Sequence, residues 1–521
     1  MVNRRQFLQL LAVVGAWAGL PVARSQAGAM GLQFGTPASF SFQALQRHAR
    51  GMAAQPYQEP VTRHEALLES IDYDAFQQIV YKRELGLGED GSLNFPVQLF
   101  HLGRYFKNPV KIHVLDQGQA REILYRPDYF TFGGSSLGQT FPDDLGFSGF
   151  RLQEGPGATT DWMAFLGASY FRSAGELNQY GLSARGVAIN PALSVPEEFP
   201  RFTEFWLEPG PAQSDTFVVY ALLDGPSVSG AFRLSCVKRP QIVMDIQASL
   251  YPRRDISRMG LAPLTSMFWY GEHNRHQARD WRPEIHDSDG LAMWTGAGER
   301  LWRPLNNPTS VMTNSFLDAN PKGFGLLQRD RAFYHYEDDG VFYDRRPTVW
   351  IEPIGEWGEG MVQLVEIPTD DEIHDNIVLY WLPKKPVKAG SEWHVGYRLH
   401  WTDTEPYPSD VVARVCHTRL GNAGVPGQPR PKGGRKFVID FEGRPLKDVE
   451  KLDKVIPVVS ASKGRIDNQY ALQVVGTRNW RAFFDLYVEG EAPVDLRLFL
   501  KLGDRPLTET WLYQYLPFAY R

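Results

Sequence analysis

Ile242-Val243-Met244-Asp245-Ile246-Gln247-Ala248-Ser249-Leu250 decides the fold class. Ile242, Met244, Ile246, Ala248 and Leu250 fall on one side of a two-residue period; Val243, Asp245, Gln247 and Ser249 fall on the other. Only an extended chain sends alternate side chains to opposite faces, so the stretch predicts a half-buried antiparallel strand. Upstream, 216–223 and 229–237 read as strands flanking the turn Asp224-Gly225-Pro226-Ser227. A strand over 97–102 and a hairpin over 110–124, turning at Asp116-Gln117-Gly118-Gln119, precede them. Downstream, 324–327, 348–352, 361–367, 377–381 and 393–401 continue the pattern with no helix between them, which predicts one large β-sandwich.

Helical spacing is confined to the start. Phe42, Leu45, Ala49 and Met52 recur at that spacing, as do Phe76, Ile79 or Val80 and Arg83 after a capping Asp72, so 38–85 reads as two helices joined by a loop over 55–60. At the other end, 403–435 is rich in Pro and Gly and reads as a linker or long loop. Short strands resume at 437–441, 455–460, 471–475, 481–488 and 494–500, the spacing of a small immunoglobulin-like sandwich. The chain is thus expected to be all-β: a signal segment over 1–29, a β-sandwich over 30–402, the linker, and a second sandwich over 436–521.

Composition agrees. The 521 residues are more than one domain core accommodates. An aromatic fraction of 13% with 48 Gly and 37 Pro favours strands and turns over helical bundles. Net charge is −5, and no basic stripe is present, which argues against nucleic acid or an anionic membrane as partner. Asn3-Arg4-Arg5-Gln6-Phe7-Leu8 is a twin-arginine motif, followed by an apolar stretch to Leu20 and an A-x-A site at Ala27-Gly28-Ala29. That stretch falls short of the roughly 20 residues a membrane span needs, so export as folded, soluble cargo is expected. Of two cysteines, Cys236 falls on the buried face of a strand and Cys416 lies far off; two free thiols are expected over a disulfide.

The chemistry concentrates in Arg282-Pro283-Glu284-Ile285-His286-Asp287-Ser288-Asp289-Gly290-Leu291-Ala292-Met293-Trp294. Aromatic faces such as Trp294 cover the C–H faces of pyranoses, while carboxylates and polar groups such as Asp287, Asp289 and His286 take hydroxyls. A second acidic run, Asp370-Asp371-Glu372-Ile373-His374-Asp375, precedes the strand at 377–381. Two separated carboxylates are what glycoside hydrolysis requires, at roughly 6.5–9.5 Å for inversion and about 5–5.5 Å for retention. The alternative is that both runs are solvated rim acids. His273-x-x-His276 with His286 and Asp287 lacks the fixed spacing of a metal site, Asp287-Ser288-Asp289-Gly290 lacks the other ligands of a calcium loop, and no cofactor is implied. Trp162, Tyr170, Trp206 and Trp357 read as core.

The run His276 to Leu291, together with 303–308, 320–328 and Glu509-Thr510-Trp511-Leu512-Tyr513-Gln514-Tyr515, resembles the OpgG/OpgD (MdoG/MdoD) glucan biosynthesis family, and the twin-arginine motif resembles its OpgD branch. The resemblance covers essentially the whole mature chain. It implies a periplasmic protein of osmoregulated glucan synthesis, with a large galactose-mutarotase-like (supersandwich) β-sandwich holding a cleft and a C-terminal immunoglobulin-like domain. It also implies inverting endo-hydrolysis of β-1,2-glucan, with Asp375 as general acid, Asp287 as general base, and proton transfer through water or substrate hydroxyls. Tyr343, Arg346 and Glu372 fall on cleft positions of the family, while Ile373-His374 departs from its pattern. The other reading, from a different class, is a noncatalytic glucan-binding module guiding the inner-membrane glucosyltransferase. A homodimer is the assembly implied.

Overall fold

The structure, a computed structural model, describes residues 31–133, 141–211, 213–407, 410–425, 427–450 and 453–518. The twin-arginine motif and the A-x-A site lie outside these residues. The chain is all-β, built on a 16-stranded sheet facing a 10-stranded one.

Ile242–Pro252 lies in the middle of the larger sheet, antiparallel to Val228–Lys238 on one side and Trp393–Thr402 on the other. Ile242, Met244, Ile246, Ala248 and Leu250 are all buried, as the alternation requires. Their face meets the smaller sheet. Phe150 and Phe165 of that sheet contact Phe205 of the larger one at ring separations of 5.3 and 6.0 Å. Trp162, Tyr170 and Trp206 are buried, and Trp357 is half-buried against Phe324, Trp381 and Tyr397.

The first expected helix is present, and two later stretches depart from the expectation. The first helix runs Phe42–Ala53, with Ser41 capping Ala44 N, and lays Leu45 and Ala49 on the outside of the larger sheet. Asp72 does cap a helix, but that helix ends at Gln77, and Ile79–Tyr81 is a strand paired with Phe130–Phe132. The supposed linker 403–435 contains the strand Arg414–Asn422, which pairs with Gly434–Glu442.

The C-terminal region is a sandwich. A four-stranded sheet faces Val455–Ala461, Val494–Leu502 and Thr510–Tyr515 around Phe437, Phe484 and Trp511. Its second layer is not separate from the larger sheet: Thr510–Tyr515 pairs parallel with Arg300–Pro304, setting Trp302 opposite Trp511. Buried Arg329 reinforces this seam by binding Glu405 and Glu509, each at 2.6 Å, with Trp302 3.7 Å beneath its guanidinium. Cys236 is buried in the larger sheet and Cys416 lies half-buried in the four-stranded one; both are free thiols.

Candidate active site

The two acidic runs meet at Met267-Phe268, where the strand Met259–Ser266 leaves the smaller sheet. The last rung of its ladder sets Ser266 against Ile377. Beyond it the Asn376 side chain replaces a strand: Phe268 N–H donates to Asn376 Oδ1 (2.8 Å), and Asn376 Nδ2 donates to the carbonyls of Phe268 (2.8 Å) and Ile367 (3.0 Å). From the other side, Asp287 N–H donates to the Met267 carbonyl at 2.8 Å. Asp375 and Asp287 are therefore carried by separate segments pinned to two adjacent residues. Asp287 is buried and Asp375 half-buried.

Between them enters the turn Tyr343–Arg345. Pro347 bars the helical region to Arg346, whose ψ of 140° ends the turn and starts the strand Thr348–Ile354. Arg331 holds this turn by donating to the carbonyls of Asp344 (3.1 Å) and Arg346 (3.0 Å). Arg346 donates through Nη1 to Asp287 Oδ1, and its guanidinium lies 4.2 Å over the Tyr343 ring. Burial raises the Asp287 carboxyl above its ordinary value, and Arg346, then His286 and Arg172, pull it back. Arg346 Nε is buried and has no hydrogen-bond partner among the described residues. Tyr343 O–H donates to Glu372 Oε2 at 2.5 Å.

Sequence reasoning left Arg172 and Asn376 out of the site and assigned no individual role to Arg282 or Asn307. Arg172 is buried on the strand Tyr170–Ser173, with its guanidinium 4.3 Å over the Tyr180 ring; it attracts both Asp375 and Asp287. No acidic motif marks that strand. Asn307 accepts from Thr369 N–H (3.0 Å) and donates to the carbonyls of Thr369 (2.8 Å) and Trp269 (3.1 Å), fastening the start of the acidic loop as Asn376 fastens its end.

His286, Asp289 and Trp294 do not join this group. In an extended chain His286 points opposite to Asp287. Its ring stacks on Phe268 at 5.4 Å, with Nε2 3.2 Å from Glu284 and Nδ1 3.1 Å from Gln328 Oε1. The Gln328 amide nitrogen is spent on Tyr336 and the Tyr343 carbonyl, so both imidazole nitrogens face acceptors. The pKa of His286 is raised to about 9: burial opposes protonation, and Glu284 and Asp289 outweigh it. Asp289, pushed up to about 6 chiefly by burial, accepts from the backbone N–H groups of Arg329 and Asp330. His286 and Asp289 line a cavity of about 40 Å³ with Glu272, Cys416 and His417, at the seam with the C-terminal sandwich. Trp294 ends the strand Gly290–Trp294 with its face covered by Arg300 at 3.4 Å. The histidines are likewise apart: Phe268 lies between His273 and His286, and His276 stacks on Phe518.

Comparison with known proteins shows the family. A family model described as "Periplasmic glucan biosynthesis protein, MdoG" matches residues 40–515. "Glucans biosynthesis protein D 2" of Ralstonia nicotianae is 50% identical over 530 residues, covering 99% of this chain and 98% of that protein. "Glucans biosynthesis protein D" of Stenotrophomonas maltophilia is 47% identical over 524 residues, with the same coverage. "Probable glucans biosynthesis protein D" of Shewanella oneidensis is 47% identical over 481 residues, covering 92% of this chain and 89% of that protein. With a sandwich fold and a site assembled from the runs around Asp287, Tyr343 and Asp375, the chain belongs to the MdoG family of periplasmic glucan biosynthesis proteins.

Proposed function

We propose that, within periplasmic glucan biosynthesis, the protein trims the glucose backbone by inverting endo-hydrolysis of β-1,2-glucan. The observation that supports this best is the pinning of Asp287 and Asp375 to Met267 and Phe268 from separate segments, with Arg346 and Tyr343 beside them. Asp375, protonated, gives its proton to the leaving glycosidic oxygen as the C1–O bond breaks. A water attacks C1 from the opposite face and releases its proton towards Asp287, through water or a sugar hydroxyl where the carboxylate does not touch it. Arg346 keeps Asp287 ionised in a buried setting. Glu372, part-exposed at the edge of this group, and Tyr343 beside it take sugar hydroxyls. The proposal includes export by the twin-arginine route and, as partners, β-1,2-glucan, the membrane glucosyltransferase and a second copy of the chain.

A noncatalytic glucan-binding module that guides the glucosyltransferase is the second reading. It is favoured by one feature: Asp287 already spends an oxygen on Arg346, as a carboxylate in a sugar-binding groove does. Purified mature protein incubated with linear β-1,2-glucan decides between them. Hydrolysis with inversion yields new reducing ends that appear first as the α-anomer by NMR. Bound glucan with no new reducing ends contradicts the hydrolase and leaves the binding module.

A further inference from the structure

Arg282 joins several of the segments around the site. Its Nε is 2.8 Å from Asp280 Oδ1 and its Nη1 2.5 Å from Asp338 Oδ2. Nη1 and Nη2 grip the two carboxylate oxygens of Glu372 at 3.0 and 2.9 Å. Its carbonyl accepts from Tyr270 O–H at 2.9 Å. Asp338 in turn accepts from the backbone N–H groups of Gly340 (2.9 Å) and Val341 (2.7 Å), the turn that leads into Tyr343 and Arg346. Glu372 stands three residues before Asp375, and Arg282 itself five residues before Asp287.

One guanidinium thus faces three carboxylates on three segments, a local excess of negative charge that separates if the cation is withdrawn. Arg282 is nearly enclosed, with 11% of its side chain exposed against 28% for Glu372, so screening by water is incomplete on the arginine side. The geometry also demands arginine: Nε serves one carboxylate while the fork serves two others, which a single ammonium on a flexible stem cannot do.

We propose that Arg282 is a positioning residue for glucan hydrolysis, a clasp that sets the loop 369–375, and with it Asp375, against the segments carrying Asp287 and Arg346. This rests on the hydrolase reading. Without the clasp, Asn307 and Asn376 still hold the two ends of the loop, so the chain folds, but the loop between them shifts. A displacement of about 1 Å at a reacting group costs on the order of 10²-fold in rate.

The test compares Arg282→Met and Arg282→Lys with wild type in full-length mature protein. It measures kcat and KM on linear β-1,2-glucan, glucan binding by calorimetry, and amide hydrogen exchange. The clasp predicts kcat down about 10²-fold in Arg282→Met and only partly restored by lysine, with glucan affinity retained. It also predicts faster exchange over 369–375 and 338–346. Wild-type kcat in Arg282→Met, or unchanged exchange over 369–375, overturns the proposal. Should wild type itself release no reducing ends, the hydrolase reading fails, while the exchange comparison still decides whether the clasp holds the loop.

Discussion

The Arg346 guanidinium is paired with the Asp287 carboxylate and packed over the Tyr343 ring, all three buried or nearly so. A carboxyl in that position drifts towards the neutral form unless a cation opposes it. Arg346 is the strongest opposing group, and the ionised state of Asp287 depends on it.

Replacing Arg346 by Met therefore raises the pKa of Asp287 further. The base form then fills only at higher pH, so the acidic limb of the kcat/KM profile moves to higher pH, and activity near neutrality falls by on the order of 10²-fold. A pH–rate series on Arg346→Met and Arg346→Lys checks this, lysine giving the smaller displacement.

Arg346 is also backed by the chain at Gly181. A Cβ there sits 2.9 Å from Arg346 Cβ and 3.3 Å from Pro347 Cδ, contacts that neighbouring backbone cannot easily relieve. Gly181→Val is expected to push Arg346 off Asp287 and lower kcat by about tenfold to 10²-fold, with the circular dichroism of the folded protein retained. Gly181→Ala has the smaller effect.

The seam between the two sandwiches depends on Arg329. Arg329→Met leaves Glu405 and Glu509 buried without their cation, and removing one partner of a buried pair costs about 3–5 kcal/mol. Urea unfolding measures it; a loss below about 1 kcal/mol, the worth of a surface pair, contradicts the seam's dependence on this residue.

His286 makes stability pH-dependent. Its pKa is raised from 6.5 to about 9 by Glu284 and Asp289 against the pull of burial, so the folded state binds its proton more tightly than the unfolded chain does. Its contribution is complete below pH 6.5 and is lost as pH rises through about 9. Urea midpoints of the wild type are expected to fall over that window, and His286→Gln to flatten the fall.

How far residues alone foretell this molecule depends on which faces they show to water. Ile242–Pro252 announces itself because one of its faces stays partly wet. Asp161–Leu166 and Met259–Ser266 are buried on both faces, so their sequences lack alternation and escape a period-two reading. The strand Arg414–Asn422 hides among prolines and glycines because its partner begins only at Gly434. The rung between Trp302 and Trp511 joins residues about two hundred positions apart, beyond any local pattern. In the site, the acidic runs of Asp287, Glu372 and Asp375 are legible in the sequence, Tyr343 and Arg346 only through the family resemblance, and the structure pairs Arg346 with Asp287 and Tyr343 with Glu372. Composition alone also selected His286, Asp289 and Trp294, whose side chains the fold turns to the seam or covers. Gly290 shows why the run looks as it does: a Cβ there meets Trp302 at 2.5 Å, so this glycine serves packing beneath the site.

The most direct measurement of the central claim is the release of reducing ends from linear β-1,2-glucan by wild type, Asp287→Asn and Asp375→Asn, with glucan binding followed in parallel. The account predicts turnover in wild type and its loss in both variants, Asp375→Asn still binding glucan. Turnover unchanged in Asp375→Asn, or absent from wild type that binds glucan, contradicts it.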